Sequence, residues 1–229
     1  PEGMARLQSI GIKRIPAISR GMSYVMGQKL KDVCDFVGIP LGDIKEFTVD
    51  ELAAKMDTIL SAAVSYMKEM KDEDLEPKLP NRDRKIRQLC YHIYRIVEAF
   101  CELMDGEAEE YHTTIADIDH PKDINTGADL ANYGLAVLKR FQGWHSSYTG
   151  DGTEPANAYW GDVTLRELLE RVTWHPGQHV RQLKMYLENR GNPPSKPIDE
   201  NVFKGLPMPK KIWDDEPMGE NNETMQATQ

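Results

Sequence analysis

Four stretches between Thr48 and Arg190 repeat apolar residues at helical spacing, and they constrain the fold more than any other feature of the 229-residue chain. The first opens on "TVDE", a capping box with Thr48 as N-cap and Glu51 three residues on, and continues through Leu52, Met56, Ile59, Ala63, Met67 and Met70. The second runs from about Arg82 to Met104 with Ile86, Leu89, Ile93, Val97, Phe100 and Met104 on one face. The third spans roughly Gly127 to Trp144 and carries Leu130, Tyr133, Val137, Leu138 and Phe141. The fourth starts at a second capping box, "TLRE", on Thr164 and Glu167, and ends near Arg190 and Gly191. Amphipathic helices of this length bury their stripes against one another, so residues 48–190 are expected to form a four-helix bundle. Core packing alone explains the methionines of the first stripe.

The fourth stripe is unusual. It reads Leu168, Val172, His175, His179 and Tyr186, with Leu165, Leu169 and Leu183 beside it, so two histidines interrupt a core face. Residues i and i+4 of a helix differ by about 40° in direction and about 6 Å along the axis, so His175 and His179 can point at one metal ion. An unpartnered polar ring on a buried face is costly, and His92 sits at the edge of the second stripe, three residues after Leu89 and four before Ile96. Zinc suits three protein ligands and an open position, and imidazole also suits nickel, iron or copper. The plainer alternative is that the histidines are hydrogen-bonded core groups.

Pro176 and Gly177 stand between the two histidines. Either one helix continues through Pro176 and loses a hydrogen bond there, or a new helix starts with His175 as N-cap and Pro176 in its first turn. The continuous stripe favours one helix. Gly177 would then permit close approach of another helix or of substrate.

Ahead of the bundle, Ile15 to Ser19 and Tyr24 to Met26 read as strands joined at Arg20 and Gly21, and Leu30 to Val37 reads as a helix stopped by Gly38 and Pro40. The segment "KDEDLEPKLPNRDR", broken by Pro77 and Pro80, is a connection. Asp105 to Asn125 is a longer crossover with one helical turn at most, and "SSYTGDGTEPANAYWGD" is a polar loop. Residues 191–229 are rich in proline and end in acidic, polar sequence. Phe203, Leu206, Ile212 and Trp213 favour docking of this tail as far as Trp213, with the last dozen residues loose.

Charge and composition exclude several function classes. Lys and Arg number 28 against 37 Asp and Glu, a net charge of −9, which provides no footprint for nucleic acid or anionic lipid. No window reaches the roughly 18 apolar residues of a membrane span, and a cytoplasmic protein is expected. Cys34, Cys90 and Cys101 form no CxxC. Cys90 and Cys101, eleven residues apart on one helix, are separated by roughly 16 Å, beyond disulfide reach, and all three are read as reduced. His112, His120 and His145 lie in polar loops or at a helix end and read as surface histidines. Gln88, Tyr91 and Arg95 flank His92 and could face substrate, but their ordinary reading is solvated helix surface. No catalytic acid or base stands out.

Two resemblances sharpen this reading. The pairing of "RQLCYHIYRIVEAF" on the second helix with "WHPGQHVRQLKMYL" on the last resembles the DinB-like superfamily of metal-binding four-helix bundles over about residues 48–190. Carried over, its three metal-binding histidines fall on His92, His175 and His179. Its members include thiol S-transferases using bacillithiol, mycothiol or glutathione, a mycothiol-dependent isomerase, and proteins of no known activity. Residues 1–40, through "RIPAI" and "GMSYVMGQKLKDVCDFVGI", resemble the second half of a glutaredoxin-like thioredoxin fold. The CxxC of that family lies upstream of the matched part, so the resemblance implies that the sequence begins inside such a domain and assigns no redox chemistry to these residues.

The expectation is therefore a mainly α protein: a partial glutaredoxin-like segment at 1–40, a DinB-like four-helix bundle at 48–190 and a tail at 191–229. Its expected function is metal-dependent chemistry on a small electrophilic molecule, as a thiol-dependent S-transferase or isomerase. The expected cofactor is a divalent metal, zinc before nickel or iron, with a glutathione-type thiol as cosubstrate. A homodimer is open, as are a non-catalytic metal-binding or sensing bundle and a hydrolase using metal-activated water.

Overall fold

The computed structural model describes residues 7, 9–12, 17–27, 30–40, 45–80, 82–112 and 119–213. The chain divides into two compact units, Pro1–Glu46 with Trp160–Asp162, and Phe47–Tyr159 with Val163–Gln229.

In the first unit, β1 (Ala17–Arg20) and β2 (Ser23–Met26) pair antiparallel with Ala17 opposite Met26 and Arg20 opposite Ser23. The register leaves a two-residue turn, Gly21 and Met22, one position later than the sequence reading placed it. Gly21 takes φ 62°, which a tight hairpin requires and glycine adopts without strain. Helix α1 (Leu30–Val37) packs on β2 and stops where Gly38 turns left-handed at φ 75° and the Ile39 amide caps the Cys34 carbonyl at 2.9 Å. Pro16 of "RIPAI" lies outside the described residues, as do Ile15 and the tail beyond Trp213.

The second unit is built on four helices, α2 (Val49–Glu69), α3 (Ile86–Met104), α4 (Gly127–Ser147) and α5 (Leu165–Asn189). Both predicted capping boxes form: the Glu51 amide donates to Thr48 Oγ1 at 3.2 Å and the Glu167 amide to Thr164 Oγ1 at 3.2 Å. A third, unread in the sequence, starts α4, where Thr126 Oγ1 accepts from the Asp129 amide at 3.1 Å. Extensive helix contacts join α2 to α4 and α5, and α3 to α4 and α5, while α2 and α3 meet only slightly. The two helices consecutive in sequence therefore stand diagonally, and α3 faces α5 across one seam of the bundle. Leu52, Met56, Ile59, Leu60, Ile86, Ile93, Leu168 and Val172 fill the interior with no exposed surface.

Two boundaries differ from expectation. Helix α3 begins at Ile86 rather than Arg82, because residues 77–86 are drawn into a bridge: the Leu79 amide donates to Arg84 O at 2.7 Å and the Ile86 amide to Pro77 O at 2.9 Å. The polar segment ahead of α5 is not wholly loop. It contains β3 (Pro155–Ala158) and β4 (Gly161–Thr164), which form a two-stranded sheet, and β3 also pairs with Tyr111. Among the described residues of the 105–125 crossover there is no helical turn beyond the end of α3, and residues 113–118 lie outside the described residues.

The tail returns over α2 and α5. Tyr66 Oη accepts from the Ile198 amide at 2.7 Å, Lys55 Nζ donates to Val202 O at 2.6 Å, and Ile198, Phe203 and Leu206 are buried. The apolar residues of the tail dock as far as Leu206, and the Ile212 carbonyl accepts from Gln178 and Gln182 of α5.

Candidate metal centre

Helix α5 is a single helix of 25 residues with Pro176 inside it, so His175 is no N-cap and the reading of one continuous helix holds. A proline there forgoes an amide hydrogen bond and costs about 3 kcal/mol in a helix interior. Thr173, fully buried, turns its hydroxyl back on the helix and donates to Leu169 O at 2.7 Å. Gly177 faces away from the histidines: a Cβ there would stand 3.1 Å from the Phe203 ring and 3.3 Å from Ile59 Cδ1. The close approach that Gly177 permits is to the returning tail and to α2. Gly177 thus lies back to back with the histidine face.

Continuity of α5 puts His175 and His179 one turn apart, facing His92 across the α3–α5 seam. One ligand atom from each histidine lies within 4.8 Å of the others. The ring centroids are 5.4 Å (His92 to His175), 5.0 Å (His92 to His179) and 4.9 Å (His175 to His179), with interplanar angles of 78°, 60° and 47°. The rings converge at their edges rather than stack. An ion held about 2.0–2.1 Å from three imidazole nitrogens in tetrahedral geometry sets them about 3.4 Å apart, so binding would draw the rings together by on the order of 1 Å.

Electrostatics keep His175 unprotonated. Burial, then His179, Arg171, His92 and Arg82, hold His175 well below the ordinary histidine range. Its ring stays neutral at neutral pH and keeps a lone pair, the state in which histidine ligates metal. Arg171 lies one turn before His175 and covers the Trp174 ring at 4.7 Å. His179 is oriented by its neighbour: its Nδ1 lies 2.8 Å from Gln182 Oε1.

The residues beside His92 are not solvated surface, contrary to the sequence reading. Tyr91 is buried and stacks on Tyr133 with centroids 5.1 Å apart, and Arg95 pairs with Glu102 at 2.8 Å and Glu98 at 3.4 Å. Helix α3 is enclosed on two sides, and a stripe counted on one face overlooks the second. Gln88 caps α3 by accepting from the Lys85 amide at 2.8 Å. His145 lies 2.8 Å from Asp50 at the α2 start, and His112 is exposed. Both stand apart from the cluster. His120 is half-buried, with its pKa lowered chiefly by burial.

All three cysteines are free, and burial pushes the Cys101 thiol up to about 12 and the Cys90 thiol further, so neither supplies a thiolate at neutral pH. Sequence reasoning missed Gln178, Arg181 and Gln182, which join α5 to the tail. Their only sequence signal is spacing: Gln182 follows His179 by three residues, on the same helix face.

A helical bundle with three converging imidazoles on two facing helices defines a class of metal-binding bundle protein. The family model of the DinB superfamily matches residues 48–183, more than half of the chain, and the chain belongs to that superfamily. No curated protein matches it. No helix among the described residues is long and apolar enough to cross a membrane.

Proposed function

We propose that His92, His175 and His179 hold one divalent metal ion, zinc before nickel or iron, and that the protein is a metal-dependent enzyme acting on a small electrophilic molecule. The observation that carries this reading is the convergence of three imidazoles from two helices within 4.8 Å, at a seam where His175 is kept neutral. Three histidine ligands leave an open coordination position. The ion supplies Lewis acidity there, letting a thiol or a water act as nucleophile at neutral pH.

The chain's own residues do the rest. The α3–α5 seam fixes the three rings from rigid helices, which hold a site more closely than loops do. Arg171 and Arg82 place positive charge beside His175, which disfavours its protonation and favours an anionic nucleophile nearby. Between thiol and water we favour a glutathione-type thiol, which makes the protein an S-transferase or isomerase. The strand, turn, strand and helix order of residues 17–37 supports this, because it is the order of the closing part of a glutaredoxin-like fold.

The test is turnover of an aromatic electrophile by the zinc-loaded protein with glutathione, bacillithiol, mycothiol or no thiol. The reading expects thiol-dependent product formation that chelation abolishes. Chelator-sensitive turnover without thiol would select the hydrolase, and no turnover under any condition would leave a metal-binding or sensing bundle.

A further inference from the structure

Residues Pro209–Ile212 run along α5 and are tied to it by side chains that reach their main-chain carbonyls. Arg181 Nη1 donates to Pro209 O at 3.0 Å, Gln178 Nε2 to Lys211 O at 3.1 Å and Ile212 O at 2.7 Å, and Gln182 Nε2 to Ile212 O at 2.8 Å. Gln178 and Gln182 are 7% and 8% exposed, so these bonds lie in surroundings where a lost partner is expensive.

The partners fix which way the Gln182 amide faces. The Ile212 carbonyl can only accept, so the amide NH2 must point to it, and Oε1 is left facing His179 Nδ1 at 2.8 Å. An amide oxygen also can only accept, so Nδ1 carries the hydrogen. In the neutral ring the lone pair then belongs to Nε2.

We infer that Gln182 is a positioning residue of the metal centre: clamped by the Ile212 carbonyl, it holds His179 in the Nδ1–H tautomer and in the ring orientation that offers Nε2 to the ion. The returning tail is thereby a working part of the site, although none of its described residues belongs to the histidine cluster. The inference rests on the metal reading above. A partner that holds the second nitrogen of a ligating histidine typically changes metal affinity about 10- to 100-fold when removed.

The test uses the full chain, zinc affinity by competition with a chromophoric chelator, and the His179 tautomer by 15N NMR of the metal-free protein. Gln182→Met keeps the volume and removes both hydrogen bonds. It is expected to weaken zinc binding about 10- to 100-fold and to erase the Nδ1–H signature. Gln182→Glu also loses the donor to Ile212 O but keeps an acceptor for Nδ1–H. It is expected to recover zinc affinity to within a few-fold of wild type, which a merely structural role would not produce, since both variants loosen the tail. Gln182→Met binding zinc like wild type with an unchanged tautomer overturns the role of Gln182, as does Gln182→Glu binding as weakly as Gln182→Met. Failure of the wild-type chain to take up zinc, nickel or ferrous iron overturns the metal reading together with this inference, so the two failures are told apart.

Discussion

Helix α3 has two inner faces, built on opposite principles. Toward α4 it is closed. Tyr94 is fully buried over Gly134, Phe100 sits 4.8 Å from Trp144 and 6.2 Å from Phe141 between centroids, and Tyr133 donates to Glu98 at 2.6 Å while Arg95 pairs with Glu102. Burial and the bond to Glu98 push the Tyr133 hydroxyl far up, so it remains a donor. Charges on this face end on protein partners, and rings fill the space. Toward α5, His92 meets two more imidazoles at steep ring angles of 78° and 60°, and Arg171 and Arg82 bring positive charge to His175. Cations cannot accept a hydrogen bond from a ring or stabilise a protonated one, so His175 is held as a neutral ring with a lone pair, the state in which an imidazole can ligate a metal. The difference is that the α4 face is filled and paired within the protein, whereas the α5 face carries the three imidazoles of the candidate metal centre.

Substitutions on the closed face test the division, beginning with the most damaging. A Cβ at Gly134 would clash with the hydroxyl end of the Tyr94 ring, so Gly134→Ala is expected to cost on the order of 3 kcal/mol in urea unfolding. An unchanged midpoint would mean that the α3–α4 seam is not close-packed. Tyr133→Phe removes a donor from the part-buried Glu98 and should cost about 1.5 kcal/mol while leaving metal content unaltered. Loss of metal in that variant would break the separation of the two faces. The smallest effect belongs to Tyr94→Phe. Among the described residues the Tyr94 hydroxyl is buried with no hydrogen-bond partner, so its removal should be neutral or stabilising by about 0.5 kcal/mol. A loss above about 1 kcal/mol would show that the hydroxyl is satisfied and that the face is more polar than drawn.

Much of this was legible from spacing. Capping boxes at Thr48 and Thr164 marked the starts of α2 and α5, and helical stripes predicted the bundle, because local chain chemistry and burial on one face both write themselves into residue order. His175 and His179 were readable for the same reason, and His92 through its place beside Leu89 and Ile96. What spacing could not carry was any feature requiring a second partner. Tyr91 and Arg95 read as surface until α4 covered them, β3 hid in a polar segment because its pairing includes the distant Tyr111, and the purpose of Gly177 depended on Phe203, 26 residues away in sequence. Gln182 was hidden likewise, since its significance comes from Ile212 on the returning tail.

The central claim is that the three histidines act as one metal site. Its most direct measurement is the metal content of the purified full chain by elemental analysis, alongside His92→Ala, His175→Ala and His179→Ala. The account predicts one divalent ion per chain in the wild type and its loss in each variant, with every variant still folded by circular dichroism. Variants that each retain the full metal content, or a wild-type chain that binds no metal after incubation with zinc, nickel and ferrous iron, would contradict it.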